Sequence, residues 1–210
     1  MHTTTTTLFA GIATLGAAMG AVADYQFVFL DYVEGSTYRL YAQLEEGDSV
    51  NAVYGDGDDE LHIEATTGFY QNAFGGPTSK EINPALYSVF PSLEFDSWVT
   101  IGLEDMNDNA LNTIGIDFTS FEAGGGITTD DGAWFTTPDD QQSYAGADGS
   151  VLLGQFTFLD DGWFSNLSFC MQGKTADGAT WSDCYEMPAP GAMALLGMAG
   201  VFGGRRRRRR

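Results

Sequence analysis

The residues best suited to chemistry in this sequence are carboxylates gathered on turns. Asp56, Asp58 and Asp59 form one such group, with Glu60 beside them, and Asp105, Asn107 and Asn109 form another. Shorter pairs stand at Asp130 and Asp131, Asp139 and Asp140, and Asp160 and Asp161. A calcium ion takes six to eight oxygens, and closely spaced carboxylates on a turn supply several at once. Calcium is therefore the candidate cofactor, with Asp56, Asp58, Asp59, Asp105, Asn107 and Asn109 as its expected ligands. The second group begins like an EF-hand loop. It then places Ala110 where the turn glycine belongs and Ile116 where the bidentate glutamate belongs. Ordinary turn-forming aspartate and glycine account for the same pattern.

Other site chemistries find less. A glycosidase needs two carboxylates about 5 to 10 Å apart in a cleft, and among 29 acidic residues some pair meets that distance by chance. No nucleophile elbow, zinc-binding histidine pair or phosphate loop occurs. His62 lies on the polar side of an alternating run and reads as a surface residue. These features point to a non-enzymatic domain, with a secreted polysaccharide-active enzyme as the more distant reading. The two cysteines, Cys170 and Cys184, lack the partner base or histidines of a catalytic or metal-binding thiol. They flank a hairpin pattern centred near Asp177, which sets them face to face. A disulfide closing that loop stabilises by roughly 3 kcal/mol in the chain-entropy picture.

Aromatic residues are 13% of the chain, and amphipathic rings are the side chains that stack on sugars. Trp98, Trp134, Trp163 and Trp181 are candidates, although a tryptophan in a sheet protein is often core. Tyr70 and Phe74 sit on a long loop, and Trp134 sits between glycine-rich and acidic loops. Those three are the expected ligand-facing aromatics.

The elements that must position these groups are strands. Apolar residues recur with period two almost throughout residues 24–186. Tyr25, Phe27 and Phe29 alternate with Val28 and Leu30 in a run apolar on both faces, which predicts a central strand. Leu40, Ala42 and Leu44 face one way, as do Leu61, Ile63 and Ala65. Residues 69–84 break the rhythm with Gly75-Gly76-Pro77 and Asn83-Pro84 and read as a long loop. Strands are expected again over 93–103, with Trp98 inside, and over 111–121, with Ile114, Ile116 and Phe118 on one face. A short aromatic strand follows at 132–135, then strands over 151–159 and in the cysteine hairpin. About ten strands with no amphipathic helix beyond two turns predict an all-β fold, an antiparallel two-sheet sandwich of jelly-roll type.

Charge divides the chain. All 29 acidic residues fall between Asp24 and Glu186, against Arg39, Lys80 and Lys174 as the only cations there. Such a surface repels phosphates, so nucleic acid is excluded as a partner. The first 23 residues read as a signal peptide: an apolar run over 8–22, then a small-x-small cleavage site at Ala21 and Ala23, directly before Asp24. The division is therefore 1–23 signal peptide, 24–186 β-sandwich domain, 187–210 tail.

The tail is the most specific stretch. Pro188, Ala189, Pro190 and Gly191 lead into an apolar run that begins at Ala192, contains Leu195, Leu196, Val201 and Phe202, and stops at six arginines, Arg205, Arg206 and onward to Arg210. From Met187 to Gly204 a helix would reach about 27 Å, close to a bilayer core of about 30 Å. The arginines would stay on the cytoplasmic side as a stop. This three-part order resembles the PEP-CTERM sorting signal of bacterial surface proteins, with Ala189 in the place of glutamate. The resemblance covers about a tenth of the chain. It implies transient inner-membrane anchoring, an exosortase-like processing enzyme as partner, and a cell-surface or extracellular destination. Members of that family are commonly surface proteins of bacteria that make exopolysaccharide, with main domains that vary widely, so the resemblance implies nothing about a ligand. The domain itself reads as structural or adhesive, with a carbohydrate-binding module for exopolysaccharide as the alternative on the strength of its aromatics.

Overall fold

Alternation becomes strand wherever its apolar row finds a facing sheet. The computed structural model describes residues 27–187. The expected signal segment with Ala21 and Ala23, and the tail residues Pro188, Ala189, Pro190, Gly191, Ala192, Leu195, Leu196, Val201, Phe202, Arg205, Arg206 and Arg210, lie outside the described residues. The described chain is mostly β, with few helical turns. One sheet has four strands in the order β1 (Phe27–Glu34), β2 (Thr37–Gln43), β9 (Ser150–Thr157) and β5 (Trp98–Val99). The other has seven: β6 (Asn112–Ile114), β8 (Gly132–Phe135), β3 (Ser49–Gly55), β10 (Phe164–Lys174), β4 (Leu61–Ala65) and β7 (Ile127–Thr129), with β11 (Thr180–Glu186) also on β10. Every pairing between these strands is antiparallel. Leu40 and Ala42 of β2 and Leu153 of β9 share one core with Val53, Ile63 and Met171 of the second sheet. The result is sandwich-like.

Strand β10 organises the second sheet. Its residues 170–174 pair with β3 and residues 164–168 pair with β4. Because β11 pairs with residues 168–174 as well, β3 and β4 must both run along the opposite side, one after the other. The chain leaves that line at Gly55 and rejoins it at Leu61. A Cβ on Gly55 would stand 2.3 Å from both the Leu61 nitrogen and the Thr129 carbonyl oxygen, so only glycine fits where the acidic turn is extruded. Strands β7 and β8 repeat the pattern along β4 and β3, with Asp130 and Asp131 between them.

Three expectations change. β1 is an edge strand rather than a central one, and Phe27 and Tyr32 are exposed at 50% and 59%. Its inner row, Val28 and Leu30, meets Ala42 and Leu40. Its outer row continues as rings, with Phe29 stacked on Tyr41 at 5.2 Å and Phe27 5.9 Å from Phe29. Apolarity on both faces thus reflects an aromatic outer row, not two flanking strands. The stretch 93–103 holds only the two-residue β5, because a 3-10 turn, Pro91–Phe95, occupies its start. In 111–121 only Asn112–Ile114 is strand. Gly115 takes φ +71° and a single helical turn forms at Thr119–Glu122. Ile114 is consequently exposed while Ile116 and Phe118 pack against the core.

The cysteine hairpin forms as expected. Cys170 lies opposite Cys184 in the β10–β11 register, and the two are joined by a disulfide. β11 has few buried side chains apart from Trp181. The cross-link therefore holds a peripheral strand to the central one.

Candidate functional site

The long excursion between β4 and β5 builds one wall of a cleft. Backbone bonds fix its base: the Tyr70 N–H donates to the Thr157 carbonyl at 2.8 Å, and the Phe158 N–H donates to the Ser36 carbonyl at 3.0 Å. Tyr70 and Phe95 come from the excursion, Glu34 and Thr37 from the strand ends that flank the β1–β2 turn, and Phe158 and Asp160 from the segment just after β9. Together they line a cleft of 350 Å³. The hydroxyls of Thr37 and Thr157 share a hydrogen bond of 2.7 Å. Tyr70 and Phe95 are half-buried, whereas Glu34 and Asp160 are exposed. The cleft therefore brings aromatic rings and carboxylates together.

Tyr70 is held in place by a chain of polar contacts. Its hydroxyl accepts from Asn72 Nδ2 at 3.1 Å, and the Asn72 N–H donates to Asp96 Oδ1 at 2.6 Å. Asp96 is fully buried. Burial drives its pKa up to about 6, against the lowering effect of nearby backbone N–H groups. The excursion is pinned to β9 next to it, where Gln155 Nε2 donates to the Glu94 and Asp96 carbonyls at 2.9 Å each.

More aromatic surface adjoins the cleft. Trp163 stacks on Phe158 at 5.1 Å and meets Tyr38 edge-on at 5.0 Å. Tyr38 meets Tyr32 at 5.7 Å, and the Tyr32 hydroxyl accepts from the Gly35 N–H. Trp163 is 43% exposed. It is the tryptophan that the sequence reading passed over, and the Asp160-Asp161-Gly162 turn just before it was the available signal.

The predicted aromatics separate. Tyr70 lines the cleft. Phe74 is exposed and stacks on Phe90 at 3.9 Å, and the cleft lining does not include it. Trp134 is 1% exposed and belongs to the core, its Nε1–H donating to the Thr100 carbonyl at 3.0 Å. It is not a ligand-facing ring. Alternation along β8 sets Trp134 on the face that packs on the core, despite its glycine-rich and acidic neighbours.

The predicted calcium residues also separate. Asp56 Oδ1 accepts from the Asp58 and Asp59 N–H groups at 2.9 and 3.0 Å. Those bonds hold its carboxyl below the usual range. Asp105 Oδ1 accepts from the Asn107 N–H. Asn109 is turned into the fold: its Nδ2 donates to Ser79 Oγ and to the Asp105 carbonyl, and its Oδ1 accepts from the Leu111 N–H and from Gln142 Nε2. Asn109 thus serves to close its own loop. Asp58 and Asp59 join Glu60 and Glu186 around a 320 Å³ hollow beside the disulfide. There Asp59, Cys170 and Cys184 bring ligand atoms within 4.8 Å of one another. Their sulfurs are bonded to each other, so they are not thiolate donors in this state.

The domain's three cations are spent elsewhere. Arg39 forks onto both Glu104 oxygens at 2.7 Å, Lys80 donates to the Leu111 carbonyl at 3.0 Å, and Lys174 lies 4.0 Å from Asp139. None lines the cleft. Comparison with protein-family models, curated proteins and solved structures finds no match.

Proposed function

We propose that this chain is an exported bacterial surface or matrix protein whose β domain is structural or adhesive and whose tail is a PEP-CTERM-like sorting signal. The observation that carries this reading is the Cys170–Cys184 disulfide, a bond that persists in oxidising compartments outside the cytosol. The apolar run ahead of Asp24 and the proline, apolar and arginine order after Glu186 support export and sorting. On this reading the amino-terminal signal is removed after Ala23, and the carboxy-terminal segment enters the inner membrane as a short helix. An exosortase-like enzyme then cuts near Pro188–Pro190, and the acidic domain is delivered outside. The domain's finer class in the same proposal is a jelly-roll-like sandwich, supported by two antiparallel sheets that share one core.

Mass spectrometry of the protein recovered from its own host is the test. The expected mass begins at Asp24, lacks the arginines, and is two hydrogens lighter than the dithiol. An intact Arg205 to Arg210 would sink the sorting proposal, and free thiols would sink its redox premise.

A carbohydrate-binding role is the second reading, favoured by the aromatic and carboxylate cleft around Tyr70. Calcium enters the proposal as a stabiliser at Asp58 and Asp59, which line the acidic hollow. Ligand that binds only the folded state raises the melting temperature. Adding millimolar calcium to chelator-treated protein is therefore expected to raise it by several degrees, and Asp59→Asn to remove that rise. Melting curves that are the same in calcium and in chelator would dispose of the calcium role.

A further inference from the structure

We infer that the cleft between the β1–β2 turn and the Tyr70 excursion binds an uncharged glycan, with Tyr70 and Phe95 against a sugar ring face and Glu34 and Asp160 accepting from sugar hydroxyls. This deepens the carbohydrate-binding reading and rests on it. Three features select the ligand. Two half-buried rings, Tyr70 and Phe95, line the cleft on segments tied to β9 by backbone and side-chain hydrogen bonds, and aromatic rings are the apolar groups that stack on the C–H side of a pyranose. Exposed carboxylates from two other segments, Glu34 and Asp160, stand at the same cleft, and an ionised carboxylate can only accept hydrogen bonds. Sugar hydroxyls are donors that match them.

Charge removes the anionic glycans. The cleft lining contains no lysine or arginine, and the three cations of the domain are engaged by Glu104, by the Leu111 carbonyl and by Asp139. A uronate or sulfated polymer would bring anions to two carboxylates on a domain with 29 acids. A neutral polymer meets no such repulsion. The volume of 350 Å³ lies at the small end of ligand clefts and suits one or two sugar units. The exposed Trp163 and Tyr32 beside it extend the surface along which a longer chain would run.

The test is native gel electrophoresis of the protein as recovered from its own host, with the disulfide intact, through gels containing hydroxyethyl cellulose, xyloglucan, galactomannan or dextran, with alginate as the anionic polymer. At least one neutral polymer is expected to retard the domain, and alginate is not. Tyr70→Ala and Phe95→Ala should each weaken that retardation about tenfold, the scale of one lost stacking contact with its neighbours. Glu34→Gln and Asp160→Asn keep the shape of the cleft and should weaken it as well, while Glu46→Gln at the far end of β2 should not. Circular dichroism of each variant separates misfolding from lost contact. Retardation by alginate alone would overturn the neutral ligand while leaving an adhesive domain standing. No retardation by any of the neutral polymers, or retardation untouched in all four cleft variants, would overturn the site. The mass of the processed protein is indifferent to either result, so the sorting proposal is judged separately.

Discussion

Replacing Phe69 by alanine is expected to cost about 4 kcal/mol of folding stability, close to the most that a single core truncation removes. Phe69 is 1% exposed. Its ring centroid lies 5.4 Å from Phe156, 5.6 Å from Phe121, 5.7 Å from Phe158 and 6.0 Å from Phe164. Each such pair contributes roughly 0.5 to 1.5 kcal/mol beyond its buried area. The truncation leaves a cavity that four rigid rings cannot close by small shifts. Phe69 also bridges to Phe158 across the gap between the excursion and β9, so the damage reaches the cleft next door. Urea denaturation is the measurement, with the midpoint falling and the slope unchanged. A loss of less than about 1 kcal/mol, the cost of trimming a well-accommodated side chain, would mean that this cluster is not the centre of the core.

That cluster shows what the sequence could and could not disclose. Leu40 with Ala42 and Leu61 with Ile63 were legible because a half-buried strand writes its buried row every second residue, whatever it pairs with. The disulfide was legible because a hairpin's register follows from its turn, and residues 175–179 close that turn through Thr175 and Ala179. Order within a sheet has no such local record. β1 carries apolar residues on both faces at a sheet edge, and Trp134 is buried because its face of β8 is the one packed on the core and on Thr100.

The cleft was least legible of all. Its lining comes from residues 34–37, 70, 95 and 157–160, four segments that no period relates. Tyr70 was found because it is an aromatic on a glycine- and proline-rich loop. Phe95 was missed because a strand was expected where Pro91 starts a 3-10 turn. Asp96 was missed because nothing marks one aspartate among 29 acids as buried. The same limit applies to calcium: acidic turns could be read off, but whether a side chain reaches solvent or closes its own loop, as Asn109 does, depends on partners such as Ser79 and Gln142.

Asp96 gives the second large effect, and it is a dependence on pH. The carboxyl is fully buried, Oδ1 accepts from the Asn72 N–H, and Oδ2 has no hydrogen-bond partner among the described residues. Burial raises its folded pKa from 3.8 to about 6. Above about 6 the group is charged in both states, and the folded state bears the desolvation penalty in full. As the pH falls through 6 the folded state takes up the proton first, and near 3.8 the unfolded state does as well. The folded state binds more protons in that window, so this group makes stability rise on acidification. The whole gain is roughly 3 kcal/mol for a shift of this size. Acidification also relieves repulsion among the other carboxylates, in the same direction, so the slope of the parent protein alone cannot identify the source. Asp96→Asn can. It keeps an acceptor for Asn72 and removes the proton, and its stability should change less between pH 7 and 5 than that of the parent. Urea midpoints at the two values measure this, and parallel slopes would mean that Asp96 does not titrate there. Asp96 holds Asn72, and Asn72 holds the Tyr70 hydroxyl. The Asn72 N–H favours the charged carboxyl, so protonation weakens that one bond even as the fold as a whole gains stability, and the Asn72 amide is expected to lose protection relative to its neighbours at pH 5, after correction for intrinsic rates.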